Sequence, residues 1–143
     1  KHRLPEKFLL SVGIGKEHKN LRFVIENLRN VWLNEECQYP LVIAGTSGKI
    51  PEFLKSDIQG IENHIIPIKF IEYSELPLLY QAATILVYPS LYEGFGFPLI
   101  EAQAQRTPVY SSNASVMPEI LGDSAVYFNP VQDNNFFQNL RSI

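Results

Sequence analysis

One stretch of this chain decides its fold: Tyr88-Pro-Ser-Leu-Tyr-Glu-Gly-Phe-Gly-Phe-Pro-Leu-Ile-Glu101. Residues 85–88, which lead into it, are apolar and β-prone, so they predict a strand. Gly94 and Gly96 free the backbone, and Pro98 suits the first position of a helix, where its missing N–H would be unbonded anyway. A strand, a glycine loop and a helix start form an anion-binding geometry, because the unpaired N–H groups of the helix start carry partial positive charge.

Two carboxylates, Glu93 and Glu101, flank the glycines and the proline. On one continuous helix they would share a face, but the glycines and Pro98 exclude such a helix. We therefore expect Glu93 in the loop and Glu101 in the first helical turn, where they would hold different parts of one ligand. The alternative is that Glu101 only complements the helix dipole and Glu93 is a solvated loop charge.

Composition limits the classes of protein that fit the chain. Its 143 residues are 45% hydrophobic and 19% charged, which is ordinary for one soluble globular domain. The net charge of −3 argues against binding to nucleic acid. The single cysteine, Cys37, cannot form an internal disulfide, and no apolar run is long enough to span a bilayer. We expect a cytoplasmic protein that could still contact the inner face of the membrane peripherally.

The first unit of the chain places lysines near the glycine loop. Residues 8–13 predict a buried strand that ends at a glycine, and the polar loop after it contains Lys16, His18 and Lys19. Asn20 suits the N-cap of the helix that follows. A loop lysine is usually only solvated, but a lysine at the carboxyl end of a parallel strand, facing an anion loop, is a candidate phosphate partner.

The rest of the chain repeats this alternation of strands and helices. A helix is predicted from Ile50 toward Gly60, Pro67 places its strand toward an edge of the sheet, and Ser74 is predicted to cap the next helix. The pattern predicts an α/β, Rossmann-like, doubly wound parallel sheet of about six strands. Ligands bind above the carboxyl ends of such strands, so the loops there should converge on one crevice.

Five ordered blocks of the chain resemble the retaining glycosyltransferases of family 4. Residues 93–101 resemble the E-x7-E signature of that family, and residues 12–21, with His-Lys-Asn-Leu at their end, resemble its first-strand loop. Residues 41–45 resemble its second strand, residues 76–83 its L-x-x-L-Y-x-x-A helix, and residues 107–113 with 118–123 its closing segments. The resemblance covers nearly the whole chain and implies the C-terminal half of a GT-B enzyme. Residues 1–143 would form the donor-binding domain, without the N-terminal acceptor domain and the C-terminal tail.

The resemblance also implies roles for individual residues. Glu101 would bind the ribose hydroxyls of a nucleotide-sugar, Glu93 the hydroxyls of its sugar, and Lys19 the leaving diphosphate. The main chain around Ile71 would contact uracil or guanine. The amides of the central loop would bind the sugar and the diphosphate; that loop consists of Gly94, Phe95, Gly96, Phe97, Pro98 and Leu99.

One expected cation is missing from the first loop. Many members of the family have an arginine directly after the glycine of the first strand, where this chain has Ile14. Lys16 or His18 could substitute for it, and we favour Lys16. No Asp-x-Asp pair is present and the three histidines lack ligand spacing, so we expect neither a metal nor another cofactor.

The activity implied is retaining transfer of a hexose from a UDP- or GDP-sugar to a glycan or glycolipid acceptor in surface polysaccharide synthesis. The missing domain would bind the acceptor, so the isolated chain would bind its donor weakly and transfer nothing. Glycoside hydrolases also use paired carboxylates, but an anion loop and Lys19 have no use on a neutral sugar chain. A catalytically inactive nucleotide-binding or interaction module of the same fold is the remaining alternative.

Overall fold

The computed structural model describes residues 3–13 and 17–143 and contains one six-stranded sheet whose strands are all parallel. The strands are β1 (Leu9–Val12), β2 (Leu41–Thr46), β3 (Ile65–Lys69), β4 (Ile85–Tyr88), β5 (Val109–Ser112) and β6 (Val126–Phe128). The helices are α1 (Leu21–Leu33), α2 (Leu76–Ala82), α3 (Phe97–Ala104), α4 (Met117–Leu121) and α5 (Phe136–Arg141). Within the described ranges, no helix is long and apolar enough to cross a membrane.

The central strands are buried on both faces. Every residue of β1 and β4 is buried, as expected for parallel strands that helices cover on both sides. Leu9 and Val87 belong to a core cluster with the apolar face of α1, whereas Leu10 and Leu86 belong to a second cluster with α2 and α3. The predicted doubly wound α/β fold is confirmed.

The order of the strands creates one gap between loops at the carboxyl edge of the sheet. The order is β3-β2-β1-β4-β5-β6, so the chain winds outward from β1 in one direction and from β4 in the other. Leu9 of β1 pairs directly with Ile85 of β4. The loops that leave β1 and β4 therefore diverge to opposite sides, and such a switch point is where open α/β sheets bind ligands.

The helix predicted from Ile50 to Gly60 is wrong. This segment contains one short 3₁₀ turn, Glu52–Leu54, followed by turns. Two arginines of α1 bind carbonyl groups of this segment: Arg22 donates to the oxygen of Phe53 (3.0 Å), which a helix would have used, and Arg29 donates to those of Asp57 (2.8 Å) and Gln59 (2.5 Å). These tertiary hydrogen bonds override the local helical pattern.

Pro67 lies in the edge strand β3, as predicted, but the cap predicted at Ser74 is wrong. Helix α2 begins after Glu75 rather than Ser74, and no side chain caps it. Asn20 is the N-cap residue of α1, as predicted, but its backbone is left-handed (φ 57°) and its side chain makes no capping hydrogen bond. Glu101 is the fifth residue of α3, because this helix begins at Phe97; it lies in the second turn and not in the first.

Candidate functional site

Lys19 and Glu93 meet across the gap between β1 and β4. Lys19 ends a 3₁₀ turn in the loop after β1, and its Nζ forms an ion pair with Glu93 Oε1 in the loop after β4. Both side chains are largely buried, with 19% and 12% of their surfaces exposed. The Ser90 hydroxyl donates a second hydrogen bond to Glu93 Oε1 at 2.9 Å. The fold thus joins two residues that the sequence assigned to different parts of a ligand.

The surroundings of Glu93 favour its ionised form. Burial alone raises the pKa of this carboxyl group, but the hydrogen bonds from Lys19 and Ser90, the neighbouring Tyr88 hydroxyl and the charge of Lys19 together outweigh it. The net result is a pKa below the ordinary value for glutamate. Glu93 is therefore a carboxylate at neutral pH, able to accept hydrogen bonds from hydroxyl groups.

Asn20 fixes the two loops against each other. Its side-chain amide donates to the carbonyl oxygen of Pro89 (3.1 Å) and to that of Pro130 (2.9 Å). The backbone N–H of Leu91 donates to the carbonyl oxygen of His18 at 2.8 Å, which adds a direct link between the loops. Lys19, between these two contacts, is held beside Glu93 by its neighbours in the chain.

Gly13 ends β1 beside the Lys19 side chain. Its backbone is left-handed (φ +75°), so a residue with a side chain would be strained at this position. A Cβ atom there would lie 3.6 Å from both Cε and Nζ of Lys19, which is an ordinary van der Waals contact. The backbone conformation, and not the space around Lys19, is therefore what requires a glycine.

The glycine loop is open at its centre and packed at its end. Among the described residues, no group accepts a hydrogen bond from the backbone N–H of Gly94, Phe95 or Gly96. The N–H of Leu99 donates to the carbonyl oxygen of Gly96 at 3.1 Å, and the Leu99 side chain is fully buried. The N–H of Leu99 is thus already bonded within the chain, and Pro98 has no N–H to offer, while the contacts of this loop with a ligand stay predictions.

Phe95 and Phe97 form an exposed aromatic pair on this loop. They are 50% and 66% exposed, and their ring centroids lie 4.7 Å apart. Tilted aromatic pairs of this kind attract each other weakly. Neither ring lines the cavity that contains Glu101, so their backbone groups are the candidates for contact with a phosphate.

Glu101 lies in a cavity of about 370 Å³ beside this loop. Ile71, Pro98, Gly13 and Gly45 also line the cavity, so the carboxyl ends of β1, β2 and β3 and the start of α3 all contribute to it. The Tyr80 hydroxyl of α2 donates to Glu101 Oε2 at 2.7 Å. Ile71 and Glu101 are thus brought together as the sequence led us to expect, while their roles toward a ligand stay predictions.

The charges of both carboxylates act on the hydroxyl of Tyr88. Its hydroxyl is buried and has no hydrogen-bond partner within residues 3–13 and 17–143, and its ring centroid lies 5.8 Å from Lys19 Nζ. Burial, followed by the charge of Glu93 and with a smaller contribution from Glu101, raises the pKa of this tyrosine. The hydroxyl therefore stays protonated close to both glutamates.

Sequence reasoning missed the supporting residues Tyr80, Tyr88 and Ser90. Tyr80 was visible within the L-x-x-L-Y-x-x-A block and Ser90 within the central stretch, but spacing gives no sign that either reaches a glutamate. Ile14 and Lys16, the missing cation and its expected substitute, lie outside the described residues. In the parts of the chain that are described, no group of three or more His, Cys, Asp or Glu side chains could hold a metal ion.

The parallel sheet of order 3-2-1-4-5-6, with a glycine loop opening α3 above the gap between its central strands, is the fold seen in C-terminal domains of GT-B glycosyltransferases. The chain belongs to the family described as glycosyl transferases group 1, whose model matches residues 1–142.

Two bacterial relatives share about a third of their sequence positions with the chain. It is 34% identical over 140 residues to the O-antigen chain mannosyltransferase RfbU of Salmonella typhimurium, covering 96% of this chain and 38% of that protein. It is 32% identical over 125 residues to the O-antigen chain mannosyltransferase B of Escherichia coli, covering 86% of this chain and 33% of that protein. The chain therefore spans little more than a third of the length of these relatives.

A solved structure agrees with the fold. The C-terminal domain of the glycosyl transferase group 1 family protein LpcC from Francisella tularensis superposes with a TM-score of 0.76 at 28% identity. The match covers 98% of this chain and 76% of that one.

Proposed function

We propose that this chain is the donor-binding domain of a retaining glycosyltransferase of family 4. It would transfer a hexose from a UDP- or GDP-sugar to a glycan or lipid-linked acceptor in surface polysaccharide synthesis. The names of its relatives favour mannose as the hexose. Because the chain spans little more than a third of those relatives, acceptor binding is assigned to a further domain of a longer protein.

The contact that carries the proposal is the ion pair of Lys19 and Glu93 beside the open loop amides. A diphosphate would compete with Glu93 for the lysine, which lies across the gap from the start of α3. Glu93, released from the lysine, could then accept hydrogen bonds from the hydroxyls of the donor sugar. One ion pair would thus separate into the two contacts that a nucleotide-sugar needs.

The same charges would act on the reaction. As the glycosidic bond breaks, negative charge grows on the leaving diphosphate, and Lys19 with the loop amides would stabilise it. The leaving phosphate would take the proton of the acceptor hydroxyl, so the proposal needs neither a protein base nor a metal ion. Retention of the anomeric configuration follows when the acceptor attacks from the face that the phosphate leaves.

Calorimetry with the chain tests donor binding, using UDP, GDP, UDP-glucose and GDP-mannose in the presence of EDTA. We expect one nucleotide and its sugar to bind, and Lys19→Ala and Glu101→Ala each to weaken binding by about tenfold or more, since each removes a charged hydrogen-bonding group. Lys7→Ala is the matched control, because it removes an exposed lysine from the other end of β1.

Two results would contradict the site. If the Lys19→Ala and Glu101→Ala variants bind the nucleotide as strongly as the wild type does, the nucleotide lies elsewhere. If the double variant Lys19→Ala, Glu93→Gln binds the nucleotide as well as the wild type, the unpaired charge of Glu93, and not the loss of the lysine, had weakened binding in Lys19→Ala. Transfer of sugar by the chain alone would contradict the assignment of acceptor binding to another domain.

A further inference from the structure

Tyr80 is fixed at two points beside the candidate site. Its ring is 1% exposed within the core, and its hydroxyl donates to Glu101 Oε2 at 2.7 Å. Its backbone carbonyl accepts a hydrogen bond from the buried Thr107 hydroxyl, also at 2.7 Å. Burial and the neighbouring Glu101 raise the pKa of this tyrosine, so the hydroxyl remains a donor over the whole physiological range.

Glu101 has one oxygen in use and one available. Its Oε2 accepts from Tyr80, whereas no group in the described part of the chain donates to its Oε1. Tyr80 and Glu101 both line the 370 Å³ cavity and also a neighbouring cavity of about 200 Å³. The pair therefore lies between the two cavities, where the carboxylate could turn toward either.

We propose that Tyr80 is a positioning residue, which holds Glu101 so that Oε1 accepts a hydrogen bond from the ribose 2′-hydroxyl of the bound nucleotide. This inference rests on the proposed function. It makes Tyr80 responsible for the preference of the site for ribose over deoxyribose.

Rigidity is the physical basis of this role. A glutamate on a helix surface has three rotatable bonds, and fixing it when a ligand binds has a cost in entropy. The buried tyrosine side chain has no such freedom to lose, because the core packs around it and its backbone carbonyl is bonded to Thr107. A hydroxyl that restrains Glu101 before the ligand arrives removes that cost from the binding step.

Tyr80→Phe removes only the hydroxyl, and binding of GDP and UDP is compared with that of their 2′-deoxy counterparts. We expect Tyr80→Phe to weaken the preferred ribonucleotide about tenfold while the deoxynucleotide changes little, so the ratio of the two affinities falls by about the same factor. In a Glu101→Ala background the additional change should have no effect on the ratio, because Tyr80 acts through Glu101.

Tyr110→Phe is the matched control. The Tyr110 hydroxyl is buried and donates to the carbonyl oxygen of Phe136 at 2.9 Å, in the core cluster that faces α1 and α5. This variant loses the same kind of group, so it should lower stability and leave the preference for ribose unchanged.

Each other result overturns the inference. If Tyr80→Phe lowers stability as Tyr110→Phe does and the ribose preference stays, Tyr80 only joins α2 to α3. If the wild-type chain binds ribo- and deoxynucleotides equally, Glu101 does not read the ribose, although the proposed function stands. If the wild-type chain binds no nucleotide at all, the proposed function fails and this inference with it.

Discussion

Replacing Asn20 would show how much the link between the site loops contributes to stability. Asn20→Gly removes the two hydrogen bonds to the carbonyl groups of Pro89 and Pro130. At a net value of about 1 kcal/mol each, the loss is about 2 kcal/mol in the free energy of unfolding. Asn20→Ala loses the same bonds and adds about 1 kcal/mol, because φ at this residue is 57° and alanine tolerates the left-handed region poorly. Urea unfolding at pH 7, with an unchanged m-value, measures both losses.

The control lies on the same helix. The Asn27 amide donates to the carbonyl oxygen of Phe23 one turn away (2.8 Å), so Asn27→Ala loses only a local contact and should stay within about 0.5 kcal/mol of the wild type. If both Asn20 variants also stay within that range, the loops do not depend on this side chain. If the alanine and glycine variants are equal, the strain at Asn20 has been overestimated.

Two further predictions concern the central loop. Gly96→Ala should destabilise the protein by about 1–2 kcal/mol in urea unfolding, because φ is +77° and the new Cβ would lie 3.0 Å from Leu99 Cδ1. Gly94→Ala, with no atom within 4 Å of its Cβ, should change stability by less than about 0.5 kcal/mol, and an equal loss in both variants would contradict this account. The pKa of Glu93 is lowered on folding, so its contribution to stability is fully present above the unfolded pKa of about 4.3 and is lost as pH falls below it. The difference in unfolding free energy between wild type and Glu93→Gln should therefore be constant from pH 6 to pH 8 and shrink below pH 4, and a difference that grows with acidity would refute it.

The fold could be predicted from the sequence because its signals are local. The buried runs of β1, β2 and β4 are apolar except for Ser11, and a glycine or proline follows each buried run. The helix prediction after Ile50 was wrong for the opposite reason. The arginines that bind carbonyl groups of this segment lie on α1, and nothing within the segment indicates them.

In the candidate site, too, the sequence indicated the residues with local signals and not their long-range partners. Lys19, Glu93 and Glu101 could be chosen because each lies next to a strand end or a helix start in the sequence. Their partners could not be chosen, since the contact of Tyr80 with Glu101 joins two helices on one face of the sheet. Asn20 was correctly placed before α1 but given the wrong task, because its amide reaches carbonyl groups in two other loops.

The pairing of β1 with β4 also has a consequence for how the molecule folds. Leu9 and Ile85 are neighbours in the sheet although most of the first half of the chain lies between them. Closing so long a loop costs more entropy than pairing β4 with β5, which follows it directly. We expect the two halves of the sheet to gain order first and the gap between them to close late. During synthesis, Lys19 would then form its ion pair with Glu93 only after the residues of β4 and the glycine loop had left the ribosome.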